Sequence, residues 1–157
     1  MALEFSTAGF KLKYAVEVSQ GVRPVSGFVE IPDVVSLAAM NSAPTPIDVT
    51  PLAETYKHRY IPGLSDDGGT YEVTANQTTA FKTAWETLVS AASTGKASGF
   101  ATHFEIVFPA SSGYTDSFYF TGDPSALGFA GAEVDQAYQG ASYITTNEIE
   151  GFDTAST

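Results

Sequence analysis

The sequence predicts a mainly β fold of the α+β kind, an antiparallel β-sandwich or barrel with one flanking helix, in a single domain over residues 1–157. Three observations carry this expectation. Short stretches alternate apolar and polar residues with the period of two that half-buried strands require, and only one segment has the period of a helix. Aromatic residues make up 13% of the chain, which suits a sheet core. At 157 residues and 43% hydrophobic content, the chain can bury about two-thirds of its unfolded surface in one core, with no room for a second full domain.

The elements follow in order. Leu12, Tyr14, Val16 and Val18 alternate with Lys11, Lys13, Glu17 and Ser19, which predicts a strand turned by Ser19-Gln20-Gly21. A short second strand is expected at 27–31, stopped by Pro32 and Asp33. Residues 34–46 read as loop, and 71–75 as a further strand. Phe81, Trp85, Leu88, Val89 and Ala92 then fall on one helical stripe, predicting a helix at about 79–93. Asn76, Thr78 or Thr79 would cap its start, Gly95 is the expected stop, and Trp85 is the expected anchor on the sheet. Phe104, Ile106 and Phe108 oppose His103, Glu105 and Val107 in the next strand, which Pro109 ends. The segment 114–122 returns as a hairpin partner, with Phe118 and Phe120 on one face and Ser117, Tyr119 and Thr121 on the other. Later strands are expected near 126–134 and 141–150. The final Gly-Phe-Asp-Thr-Ala-Ser-Thr is expected to be a flexible C-terminus.

The anomaly is a long connection at about 38–69. Strand connections usually take ~2–6 residues, so a much longer one needs a functional reason or disorder. Ile47, Val49, Leu52, Tyr56, Tyr60, Ile61 and Leu64 are spaced through residues 47–69, a composition that packs rather than stays disordered. The expectation is that it packs against another copy of the chain.

Charge and motifs exclude several functions. Eighteen acidic residues against seven basic ones give a formal charge of -11, contrary to ordinary nucleic-acid binding, which relies on Lys and Arg. Five of the seven basic residues (Lys11, Lys13, Arg23, Lys57, Arg59) precede residue 60, which segregates charge along the chain. No cysteine is present, so neither a disulfide framework nor a thiolate site exists. The N-terminus does not read as a secretory signal, and no run of about 18 apolar residues suggests a membrane helix. GxSxG, P-loop and GxGxxG motifs are missing. His58 lies in the long connection, and His103 is expected at a surface or interface. Asp66, Asp67 and Gly68 resemble part of a calcium loop without its remaining ligands, and read better as an acidic turn. Asn76-Gln77-Thr78 matches a glycosylation sequon but serves better as a helix cap. The expectation is no enzyme, no cofactor and no metal.

Over most of its length the chain resembles the major tail protein, or tail tube protein, of long-tailed bacteriophages with non-contractile tails. The resemblance rests on GFKLKYAVEV as a first strand, on IDVTPLAETYKHRYIPGLSDDGGTYEVTANQ as the loop region, then on a helix, FEIVFP, FYFTGD and a terminal strand. The IPGL-x-D-x-G stretch is its most specific part. The resemblance implies two packed sheets with a flanking helix, and hexameric rings stacked into a hollow tube in the virion tail, made in the host cytoplasm. It implies tape-measure, terminator or baseplate proteins as partners, and DNA passing through the lumen without specific binding; no membrane partner is implied. Asp48, Thr50, Leu52, Tyr56, Lys57, Arg59, Tyr60 and Ile61 would then form the subunit interface, with Lys57 and Arg59 meeting acidic groups of the next ring or standing as solvated charges. An acidic lumen would keep phosphates off its wall, and Glu17, Glu72 and Glu105 are candidates to line it.

Two other classes stand beside this one. A tail terminator or baseplate protein would form one ring without polymerising. A monomeric β-sandwich carbohydrate-binding module would stack sugars on exposed aromatics such as Tyr114, Tyr119 or Tyr143.

Overall fold

The computed structural model describes residues 4–41, 43–65 and 69–157. It has the expected mainly β architecture, with nine strands in two antiparallel sheets, one α-helix and a short 3-10 turn at Ala110–Ser112 among the described residues. The strands are β1 (Lys11–Val16), β2 (Val29–Ile31), β3 (Val34–Leu37), β4 (Pro46–Asp48), β5 (Tyr60–Pro62), β6 (Gly69–Asn76), β7 (Thr102–Val107), β8 (Asp116–Pro124) and β9 (Gln139–Thr154). The helix α1 covers Thr79–Ala97.

Seven strands form the main sheet in the order β2-β1-β7-β8-β9-β6-β3. Laid flat at ~4.8 Å per strand, its outermost members would lie roughly 29 Å apart. Yet β2 and β3 are joined by Pro32 and Asp33 alone, a link that reaches ~10 Å at most. The sheet is therefore rolled into a barrel. One extended segment closes it, pairing with β1 before the Pro32-Asp33 break and with β6 after it. Asp33 takes φ 60 there, a left-handed conformation that a short polar side chain tolerates.

Alternate residues of the main-sheet strands fill the interior. Leu12, Tyr14, Ile31, Tyr71, Val73, Phe104, Phe120 and Ile144 are buried in one cluster with Phe81, Trp85 and Leu88 of the helix. Phe104 stacks on Phe120 with centroids 5.1 Å apart, a geometry that adds to their area burial. Trp85 is the expected anchor: its ring is fully buried, and its indole N–H donates to the Ser125 carbonyl at 2.8 Å.

The helix starts where Thr78 accepts the Phe81 amide, and it runs four residues past the expected end. Gly95 is not the stop. It faces β1 so closely that an added Cβ would lie 2.6 Å from Val16 Cγ1. Gly99 is the terminator instead, at φ +81, with its N–H donating to Lys96 O and that of Phe100 to Gly95 O, the paired bonds of a Schellman end.

Three further expectations are corrected. Residues 34–37, read as loop, form β3 because Val34 and Leu37 reach the barrel interior beside Tyr71 and Val73. Residues 126–134 form no strand; β9 occupies the place beside β8, and of this segment Leu127 packs on the core while Phe129 and Val134 stay exposed. The C-terminus is not loose. Residues 151–154 extend β9, and Ala155 and Thr157 donate backbone N–H groups to Thr115 O and Val25 O. Two bulges, at Asn147 and Glu150, keep Ile149 and Phe152 opposite Phe120 and Phe118 while the strand bends along β8. The acidic turn at Asp66-Asp67-Gly68 lies outside the described residues.

Candidate functional site

The long connection carries order of its own. Its two ends form the second sheet, with Pro46 opposite Pro62, Ile47 opposite Ile61 and Asp48 opposite Tyr60. Gly63 passes Thr45 so closely that a Cβ would lie 2.5 Å from the Thr45 carbonyl oxygen, to which Gly63 N–H donates at 2.8 Å. Side chains then shape the tip. The Asp48 carboxylate accepts the Thr50 amide at 2.9 Å and hydroxyl at 2.5 Å, while Thr50 Oγ1 accepts the Arg59 amide at 2.8 Å. The Thr50 hydroxyl, then its amide, hold the Asp48 carboxyl below its usual range. Glu54 accepts the Thr55 and Tyr56 amides and pairs with Arg59 at 3.0 Å. Arg59 is thus engaged within the arm, and His58 Nδ1 lies 3.4 Å from Asp48.

This ordered hairpin has no core. Leu52, Tyr56 and Leu64 are 107%, 95% and 94% exposed, and Ile47, Val49, Tyr60 and Ile61 are exposed as well. A two-stranded hairpin alone is marginal in water. Asp48, Thr50 and Arg59 therefore set the shape, while Leu52, Tyr56, Tyr60 and Ile61 stand exposed on it; Lys57 is exposed on the same tip.

The second feature is a charged clasp on the outer face of the barrel. Loop 17–28 and the C-terminal residues fold over β7 and β8, which buries a face that sequence alternation set away from the core. His103 is 4% exposed, not a surface residue. Its Nε2 lies 2.7 Å from Glu17 Oε1, and its Nδ1 lies 2.6 Å from Glu150 Oε1 in an ion-pair contact without hydrogen-bond alignment. Arg23 donates to Glu150 at 2.8 Å, pairs with Asp153, and lies 4.0 Å over the Tyr119 ring, a cation–π contact. Burial, and then the Glu105 charge, push the Tyr119 hydroxyl up to about 12.

Two of the three lumen candidates belong to this clasp. Glu17 is 7% exposed and accepts the Gly21 and Ala101 amides; Glu105 is 1% exposed and holds the Ser156 hydroxyl at 2.5 Å. Burial alone would raise the Glu17 carboxyl, but His103 and the two amides outweigh it and hold it below the usual range. Glu72 stands apart, exposed on β6 opposite Tyr143. The three aromatic residues of the carbohydrate reading are also separated: Tyr119 is buried beneath Arg23, Tyr114 stacks on Phe108, and Tyr143 stands on β9.

Sequence reasoning missed the clasp and the two arm strands. The arm had a signal, the mirrored Pro46-Ile47 and Ile61-Pro62, which pair in register. The clasp had a weaker one in Glu148, Glu150 and Asp153, acids in a final strand that call for a cation. Among the described residues no group of three or more His, Cys, Asp or Glu forms a metal-holding cluster, and no helix is long and apolar enough to cross a membrane.

No protein-family model matches the sequence, and no curated protein matches it. Solved structures that share its fold include two from the anti-feeding prophage. A chain of the anti-feeding prophage baseplate, from a six-fold symmetrised cryo-electron microscopy structure, aligns with a TM-score of 0.62 at 8% identity, covering 99% of this chain and 98% of that one. A chain of the anti-feeding prophage cap, which terminates the tube, aligns at 0.59 and 10% identity over 99% and 95% of the two chains.

Proposed function

We propose that this chain is a structural subunit of a phage tail or tail-like particle, a tail tube protein rather than an enzyme. In this reading copies form hexameric rings that stack into a hollow tube for DNA. The observation that carries it is the arm, a hairpin ordered by its own hydrogen bonds yet exposing its apolar side chains away from a barrel whose core packs without them. A surface of that kind on identical subunits makes heterologous contacts, which close into rings or propagate as filaments. The fold shared along nearly the whole chain with a baseplate chain and a tube-terminating cap chain supports the setting, as does the resemblance of residues 47–69 to tail tube loops. The net charge of -11 suits a conduit that must not retain DNA. Glu72 is the remaining lumen candidate, since Glu17 and Glu105 are occupied inside the subunit. Tape-measure and terminator or baseplate proteins are the partners this role requires, and the virion tail is its location.

The same two structures favour a second reading, a terminator or baseplate ring that does not polymerise. One experiment addresses both. Replacing residues 48–60 by an Asn-Gly turn preserves the Ile47–Ile61 pair and suits a two-residue hairpin. The variant is expected to keep its circular dichroism and melting transition while losing all assembly. In the unaltered chain, hollow tubes in negative stain support the first reading and single rings the second. Global unfolding of the shortened variant contradicts the division between barrel and arm.

A further inference from the structure

We infer that a gap in the barrel wall beside β3 receives the arm of a second copy of this chain; the inference rests on the assembly reading above and names the surface that completes it. The gap follows from how the barrel closes. The segment 29–37 pairs with β1 only up to Ile31 and with β6 only from Val34, so among the described residues no strand lies on the β1-facing edge of β3. Opposite that edge lie residues 6–10, and between them is a cavity of about 640 Å³ lined by Phe10, Val35, Leu37, Tyr71 and Ile106. Its walls are built rather than loose. Gly9 sits at φ +99 against Pro109, where a Cβ would lie 2.9 Å from Pro109 Cβ, and the Phe10 ring packs on Phe108 at 4.8 Å. Tyr71 fixes the other wall by donating its hydroxyl to Ala38 O at 2.7 Å.

The occupant is argued from supply and demand on the same chain. An edge with free N–H and C=O groups accepts an extended segment, and the arm is an extended hairpin whose strands, among the described residues, pair only with each other. Its seven large apolar side chains offer on the order of 900 Å² of surface, against ~800 Å² per partner in a standard interface. The arm does not fill the gap of its own subunit, since Leu52 and Tyr56 stand almost fully exposed. Each copy therefore donates one arm and receives one, an arrangement that runs on from subunit to subunit.

The chain lacks cysteine, so introduced thiols are unambiguous. Leu52→Cys at the arm tip and Val35→Cys at the gap are placed in one full-length chain, which is concentrated and treated with a short bismaleimide. The expected result is a ladder of covalent oligomers, and a mixture of the two single variants gives only dimers. Leu52→Cys with Thr87→Cys, on the helix, gives no ladder. As a second measurement, Val35→Lys raises the concentration needed for assembly at least tenfold while leaving the melting temperature within a few degrees. Assembled particles that link Leu52→Cys to the helix but not to the gap, or a link within one chain only, overturn the inference and leave the assembly reading intact. An unaltered chain that stays monomeric at every concentration overturns both.

Discussion

Replacing His103 by Leu keeps roughly the volume of the ring and removes the imidazole between Glu17 and Glu150, whose carboxylates lie 2.7 and 2.6 Å from its two nitrogens. Breaking a buried pair from one side costs ~3–5 kcal/mol because a buried charge is left uncompensated. The chain can avoid part of that cost by protonating a carboxylate, at ~1.4 kcal/mol per pH unit above its ordinary pKa, or ~3–4 kcal/mol at pH 7. Water reaches the cluster from the side of Asp153, whose side chain is 56% exposed, which favours the lower end. We expect a loss of about 3 kcal/mol at pH 7.5, a large part of the ~5–15 kcal/mol that holds a domain folded. At pH 5 protonation is nearly free, and the loss should fall to about 1 kcal/mol. Urea titration of both proteins at the two pH values measures it, and adding Glu17→Gln to the Leu variant should restore more than half of the loss at pH 7.5. A deficit under about 1 kcal/mol, or one equal at both pH values, would refute the ionic account of the clasp.

Two predictions concern the same framework. Gly95→Ala should cost ~1–3 kcal/mol by overpacking, since its Cβ would meet Val16 Cγ1 at 2.6 Å. Gly99→Ala should cost only ~1 kcal/mol, through its positive φ; thermal melts that rank the pair the other way would contradict the helix end described above. Acid should release the C-terminus. Glu17 and Asp153 are held below the ordinary carboxylate range, so their stabilisation is present above the unfolded pKa of ~4 and is lost as pH falls through the folded values. Hydrogen-exchange protection of residues 150–157 should therefore fall below about pH 4 while β1 and β7 stay protected; uniform loss across the chain would argue against a local clasp.

How much of this was legible in the sequence depends on how local the cause is. The stripe through Phe81, Trp85 and Leu88 and the alternation through Phe104, Phe118 and Phe120 are local patterns, and they place the helix and the inner faces of the strands correctly. The stop at Gly99 rather than Gly95 is not local, because what distinguishes the two glycines is Val16, remote in sequence. Alternation also put His103 and Glu105 on the face away from the core, His103 at a surface or interface and Glu105 as a lumen candidate. It reports which residues avoid water on one face, and it cannot see that loop 17–28 and the C-terminus cover the other. The arm was visible as an excess of length with apolar spacing. Its strands were not, since three residues on each side are too few to show a period.

The central claim is that the exposed arm is an assembly element, and cryo-electron microscopy of the concentrated, purified chain tests it most directly. The account predicts a hollow tube of stacked rings in which the density of residues 46–62 lies against a neighbouring subunit. Monomers at every concentration, or an assembly whose arms project into solvent, would contradict it.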